Sequence, residues 1–256
     1  MTTASLRRRL ARLLTGTGEL RRVIVDDLPD LLWGSRCVGC ARPGRLLCPA
    51  CARALALPPR EATPESAPPG LPAVWAASTY EGTVREVLLA HKERGKAPLA
   101  APLGAALAEA VRAVLRNTQG SDAAVLVPVP STRAAVRTRG YDPLDVIARR
   151  AARSLRRGGR PARLQRALRL TRTVADQAGL GAAERRANLS GAFDVRSSAV
   201  ARMRGRAVVV VDDVVTTGAT LHAVTVALRE AGAEVVGAAV VAATPLRRPT
   251  GRRRVT

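Results

Sequence analysis

Aromatic side chains are nearly missing from this chain of 256 residues: one Phe, two Trp and two Tyr make up 2% of it. A core must therefore be built from Ala, Val and Leu, and the stacking platforms used to hold single-stranded nucleic acid are almost excluded. Lysine is equally scarce, at Lys92 and Lys96 only, which leaves forty of the 42 basic residues as arginine. Together with abundant Ala, that imbalance fits a GC-rich coding bias and weakens any simple reading of the net charge of +22. No run approaches the roughly 20 uninterrupted apolar residues of a membrane helix, so no membrane span is expected. The basic start, Arg7 to Arg9 and Arg12, is not followed by an apolar stretch, because Thr15 to Arg22 is small and polar. A secretory signal is not expected, and a reducing, cytoplasmic location is.

What is present is a globular composition. Apolar residues make up 47% of the chain, which argues against wholesale disorder despite the charge. At roughly 100–200 residues per domain, the length allows one substantial domain with a small appendage, or two modest ones. A basic balance raises the prior for polyanions, but here the charge is spread from Arg7 to Arg254 rather than gathered on one helix. A phosphate-rich small substrate therefore ranks above dedicated nucleic-acid binding. Any nucleic-acid contact is expected to be weak, non-specific and salt-sensitive.

All four cysteines fall within fifteen residues, as C-x2-C-x7-C-x2-C: Cys37, Cys40, Cys48 and Cys51. Each C-x2-C pair can form a knuckle that aims two thiolates at one centre, and two knuckles supply a closed tetrahedral shell. Gly39, Pro43 and Gly44 provide the turns so small a loop needs. Disulfides fit poorly with a reducing compartment. Structural Zn2+ fits best, while an iron–sulfur cluster also accepts four cysteines and unligated or redox cysteines remain open. The site has no spare ligand nearby, so its metal is expected to be structural.

Residues 1–35 are read as an N-terminal helical segment and 36–56 as the knuckle; 57–72 is rich in Pro and small polar residues and reads as a linker. Residues 73–244 form the main domain and 245–256 a basic tail. Within the domain, strands are expected at Ala73–Thr79, Ala124–Val129, Arg206–Asp212 and Glu234–Ala242. Helices are expected at Glu81–Lys92, Leu99–Leu115, Pro143–Leu155 and Gly218–Ala231. Strand–helix alternation with continuous apolar strands points to an α/β fold with a parallel, doubly wound sheet.

The segment VVVVDDVVTTGAT, Val208 to Thr220, carries the chemistry. Four valines in a row read as a buried central strand, and Asp212 and Asp213 follow at its carboxyl end, where open α/β sheets bind ligands. Two buried neighbouring carboxylates without partners would cost several kcal/mol, so they must face solvent, a cation or a polyol. Thr216, Thr217, Gly218, Ala219 and Thr220 then open a helix, whose free backbone N–H groups form an anion site. The bland alternative is that the acids end a strand and Thr217 caps a helix, a feature worth about 1 kcal/mol. The conjunction of all these features in thirteen residues favours a phosphate cradle beside two acids. Neither G-x-x-x-x-G-K-[ST] nor G-x-G-x-x-G after a strand occurs.

This segment resembles the phosphoribosyl-pyrophosphate (PRPP) motif of type I phosphoribosyltransferases: an apolar strand, two acids and a TTG-type loop. From about Asp26 onward the chain resembles the ComF family, competence-associated proteins that carry this domain behind a four-cysteine knuckle. The order and spacing of several pieces carry the resemblance. They are DLLWGSRCVGC, REVLLAHKERG around Lys92, VPVP at Val127 to Pro130, RTRGYDP around Arg139, and TVADQAGLGAAERRANLSGAF from Thr173 to Phe193. The resemblance implies that Asp212 and Asp213 take the ribose hydroxyls of PRPP, that the 216–220 loop holds its 5′-phosphate, and that Val211 is among the PRPP-binding residues. It implies that Ser131, Thr132 and Arg133 lie near the pyrophosphate, and that Gln177, Arg185, Arg186 and Asn188 form a mobile cover. Mg2+ would bridge pyrophosphate and ribose oxygens. Where the family shows arginine–glycine–aromatic–Asn–Gln, this chain has Arg139-Gly140-Tyr141-Asp142-Pro143, which puts acceptor recognition there in doubt.

Displacing pyrophosphate from C1 of the ribose needs positioning and charge stabilisation rather than a protein nucleophile. His222 reads as a structural surface residue and His91 as flanking the helix face beside Lys92. Two functions follow: a phosphoribosyl transfer enzyme with an unassigned acceptor, or a non-catalytic PRPP- or nucleotide-responsive protein of DNA uptake with a competence-machinery partner. The oligomeric state is left open.

Overall fold

In the computed structural model, residues 36–118, 123–171 and 191–245 are described. Five parallel strands and one antiparallel edge strand form a sheet in the order β1-β2-β8-β7-β3-β4. These are β1 (Arg60–Glu61), β2 (Val74–Thr79), β3 (Ala124–Pro128), β4 (Ala162–Leu164), β7 (Ala207–Val215) and β8 (Val235–Ala243). β5 (Leu168–Leu170) and β6 (Phe193–Val195) form a separate antiparallel pair. The helices are α1 (Pro49–Leu55), α2 (Gly82–Lys92), α3 (Ala100–Arg116), α4 (Arg133–Arg139), α5 (Pro143–Arg157), α6 (Ser197–Met203) and α7 (Ala219–Glu230).

The doubly wound sheet is therefore as expected, and β7 shows why. Val208, Val209, Val210 and Val211 are each fully buried. Alternation along the strand sends Val209 and Val211 into a core with α2, α3 and α5. Val208 and Val210 enter a second core on the other face with α6 and α7. A valine buried this way contributes roughly 1.5–3 kcal/mol, so the apolar run pins the strand at the centre.

Three expectations need correction. β7 does not stop at Asp212 but continues to Val215, because the long neighbour β8 pairs with it as far as Ala243. Both acids are thus strand residues. The Pro-rich stretch read as a linker is stitched to the sheet: β1 pairs antiparallel with β2, and the Ala62 N–H donates to the Val74 carbonyl at 2.7 Å. Further along it, Leu71 packs into the second core and Arg229 donates to the Gly70 carbonyl at 2.9 Å. Finally, the stretch Ala97–Arg116 is long and apolar enough by composition to cross a membrane, contrary to the expectation of no such segment. Its apolar surface here packs between the sheet and α5, with 67% of its most apolar stretch buried. Its length serves the core.

The α3–α5 crossing is close because Gly104 has no side chain. A Cβ there would stand 2.3 Å from Arg150 Cβ and 2.9 Å from the Ile147 carbonyl oxygen. Gly104→Ala is expected to destabilise by about 1–3 kcal/mol by forcing the two helices apart, read as a lower midpoint in thermal unfolding.

Asp145, on α5 and only 4% exposed, accepts from Arg149 Nε at 2.7 Å and from Arg166 Nη2 at 2.8 Å. Burial alone would raise its carboxyl, but the Arg166 and Arg149 guanidinium groups hold it below the ordinary carboxylate value. A depressed folded value stabilises above the unfolded pKa, and that stability is lost as pH falls through the folded value. Urea unfolding should therefore show wild type more stable than Asp145→Asn at neutral pH. The gap should close only below about pH 4.

Candidate functional site

The carboxyl end of β7 is where the predicted residues meet. Alternation puts Asp213 on the face of Val209 and Val211, toward α2, and Asp212 on the opposite face. There the Lys92 ammonium, at the last residue of α2, donates to Asp213 Oδ2 at 2.8 Å across 121 positions of sequence. The acids also accept from the backbone: the Asp213 N–H donates to Asp212 Oδ1 and the Val214 N–H to Asp213 Oδ1, both at 2.8 Å. Burial, then the adjacent Asp213 carboxylate, pushes Asp212 well above the ordinary carboxyl range, against the pull of the Asp213 N–H and Lys92. Burial pushes the Lys92 ammonium down, but Asp213 outweighs it and holds Lys92 above the usual lysine value.

The 216–220 loop follows directly. Gly218 caps α7 at φ 76, a left-handed conformation that suits glycine, and a Cβ there would meet Leu71 at 2.8 Å. Thr217 Oγ1 accepts weakly from the Ala219 N–H at 3.4 Å, so the threonine does act as a helix-start acceptor. Beside the loop lies a hollow of about 400 Å³, lined among others by Arg60, Glu65, Ser66, Thr216, Thr217 and Thr244. One wall is thus the Pro-rich stretch.

The turn after VPVP reaches the same end of the sheet. Pro128 pairs with Val211, and the Val129 N–H donates to the Val211 carbonyl at 3.0 Å. Ser131 Oγ donates to Asp142 Oδ1 at 3.0 Å, Thr132 caps α4 by accepting from the Ala135 N–H, and Arg133 begins that helix exposed. Asp142 caps α5, accepting from the Leu144 and Asp145 N–H groups, with Pro143 at the first helical position. Gln177, Arg185, Arg186 and Asn188 lie outside the described residues.

His91 does not sit as a base over the site. His91, beside Lys92 on its helix, is only 1% exposed, its ring nitrogens facing the carbonyls of Pro143 at 3.2 Å and Lys96 at 3.4 Å. Tyr141 Oη donates to the His91 carbonyl, and the two rings meet edge-on at 6.0 Å. The residue that sequence reasoning passed over is Lys92. The available signal was its identity, as one of two lysines among 42 basic residues.

The four cysteines converge as their spacing suggested. Their sulfurs lie within 4.8 Å of one another, and Cys40 Sγ and Cys48 Sγ are 3.7 Å apart. A tetrahedral shell with sulfur at about 2.3 Å from its metal has edges of about 3.8 Å, so the donor set fits zinc. Burial opposes ionisation of Cys37, yet backbone N–H groups from Cys48, Gly39 and Cys40 bring its thiol down to about 6. Burial, followed by the thiols of Cys37, Cys40 and Cys48, pushes Cys51 up to about 12. The knuckle rests on the main body: Leu55 enters the first core and Ser78 Oγ donates to the Ala54 carbonyl at 3.0 Å.

Residues 135–255 match the phosphoribosyl transferase domain family. That part of the chain is similar to a phosphoribosyl transferase domain. It is also 33% identical to Competence protein F of Haemophilus influenzae over 125 residues, 49% of this chain and 52% of that protein. The chain thus spans about half the length of the curated relative it matches. A mostly parallel α/β sheet behind four clustered cysteines agrees with the ComF-like arrangement of a type I phosphoribosyl transferase domain.

Elemental analysis is expected to give about one zinc per chain, falling to a small fraction in Cys40→Ser. A chelator strong enough to strip it should lower the unfolding midpoint, since structural zinc binding is folding free energy. A brown protein carrying iron would point to a cluster instead.

Proposed function

We propose that this chain binds PRPP or a related ribose 5-phosphate ligand with Mg2+ and transfers the phosphoribosyl group to an acceptor. One observation carries the reading: two adjacent carboxylates lie near the carboxyl end of a buried central strand, and a Thr-Thr-Gly-Ala-Thr loop opens a helix three residues later beside a hollow. The acids suit a vicinal diol, since each carboxylate keeps acceptor capacity beyond its single backbone N–H. The loop's free N–H groups suit a phosphate ester. Departure of pyrophosphate leaves positive charge on the sugar, which the neighbouring Asp212 and Asp213 favour, and negative charge on the leaving group. Ser131, Thr132 and Arg133 supply donors on that side. The oxygen donors of Asp212, Asp213 and the ligand suit Mg2+, which when bound supplies positive charge to the departing phosphates.

Similarity to Competence protein F supports a second reading, a non-catalytic ligand-responsive protein of DNA uptake with a partner in that machinery. Any nucleic-acid contact in it is weak and salt-sensitive. We place either activity in the reducing cytoplasm, where the knuckle thiols stay available for zinc.

Calorimetry with PRPP and Mg2+ is expected to show binding that weakens about 10–100-fold in Asp213→Asn, the effect of losing about 1.5–3 kcal/mol of charge-assisted hydrogen bonding. Labelled PRPP with a panel of nucleobases and amines then separates the readings. Mg2+-dependent pyrophosphate release supports transfer, and binding without turnover supports the second. No heat at millimolar PRPP overturns both.

A further inference from the structure

In a chain with forty arginines, the cation that meets the acid pair among the described residues is a lysine. An ammonium is a compact point charge with rotatable donors, whereas a guanidinium is a broad planar fork that needs room on both oxygens of its partner. Asp213 has no such room: Oδ1 already accepts the Val214 N–H at 2.8 Å, and only Oδ2 faces Lys92. The ammonium stands at the C-terminal end of α2, where the helix dipole favours a cation. Its side chain is 42% exposed while Asp213 is 16% exposed, so the cation can swing away and the carboxylate cannot. Lys92 also lines a hollow of about 410 Å³ with Glu93, Thr138, Arg139 and Tyr141, which gives the side chain room to move.

We propose that Lys92 is the resident counter-ion of the acid pair: its ammonium bars a free divalent cation from Asp212 and Asp213, so that metal is admitted only together with an anionic ligand. A bare divalent ion approaching Asp213 meets a positive charge already bonded to it and has nothing with which to displace it. A metal carried on a phosphorylated ligand arrives with net negative charge, which attracts Lys92 toward the ligand and frees Asp213 Oδ2. Lys92 is thus a positioning residue that sets the order of binding. The second half of the inference rests on the phosphoribosyl reading, but the exclusion of bare metal does not.

The test uses the zinc-loaded full chain without PRPP, titrated with Mn2+ and read by loss of the free-ion electron paramagnetic resonance signal. Wild type is expected to take up no Mn2+ at the acids at millimolar concentration. Lys92→Gln should gain one ion at least tenfold tighter, and the gain should vanish in Lys92→Gln combined with Asp213→Asn. If Lys92→Gln does not fold, Lys92→Met keeps the aliphatic stem and is expected to open the site in the same way. Wild type binding Mn2+ as tightly as the variant, a variant with no gain, or a gain that survives Asp213→Asn each overturns the proposal. Since no PRPP is present, failure here is separate from failure of PRPP to bind.

Discussion

Two neighbouring carboxylates at the end of a strand buried on both faces set the terms for the rest of this structure. Through Val211, β7 touches no water, and its next two residues are Asp212 and Asp213. Such groups must find charge or donors, since an unpartnered buried carboxylate is costly. Asp213 is answered by Lys92 and by a backbone N–H, whereas Asp212 has one backbone N–H and only the more distant influence of Lys92. Its carboxyl is accordingly pushed up. The result is one polar end on an otherwise apolar sheet. The turn after VPVP and the threonine loop gather there because β3 and β7 are parallel and point their carboxyl ends the same way, and the Pro-rich stretch walls the threonine loop.

What could be read from the sequence followed from local periodicity. The four valines identified the central strand, the alternating elements identified the parallel sheet, and the C-x2-C pairs identified the clustered thiols. What could not be read depends on pairing between distant segments. The composition of residues 57–72 speaks for an open linker, but two of them, Arg60 and Glu61, find the free edge of β2, and Leu71 fills the space under Gly218. The extension of β7 through its acids follows its pairing with β8, which runs as far as Ala243. The flank position of His91 beside Lys92 does not tell that it is buried; the start of α5 covers it. Lys92 opposite Asp213 is a contact between residues 121 apart, and no local pattern announces it.

The departure at Asp142 and Pro143 has a local explanation. Asp caps a helix as well as Asn does, and Pro at the first helical position costs no hydrogen bond and presets the backbone. Asp142 takes two N–H groups of α5 and also holds Ser131, which fixes the turn after VPVP to the start of that helix. The two residues therefore do structural work at a junction of the site. An amide side chain that could read a base is absent from these two positions, which moves acceptor recognition, in the transfer reading, onto other residues.

α2 connects the cysteine knuckle to the acid pair. Its second residue, Thr83, lies 3.9 Å from Cys51 Sγ of the knuckle, and its last, Lys92, bonds Asp213. Eleven residues at about 1.5 Å each make a rod of roughly 16 Å. Val84, Val87 and Leu88 hold that rod in the first core, and the buried His91 ties its end to α5. A packed helix of this length moves as a unit rather than bending, because interiors are close-packed. The cysteine cluster is therefore not an appendage on a flexible tether: it rests against the helix whose far end neutralises the acid pair. Order in the knuckle and the position of the Lys92 ammonium are set by the same body.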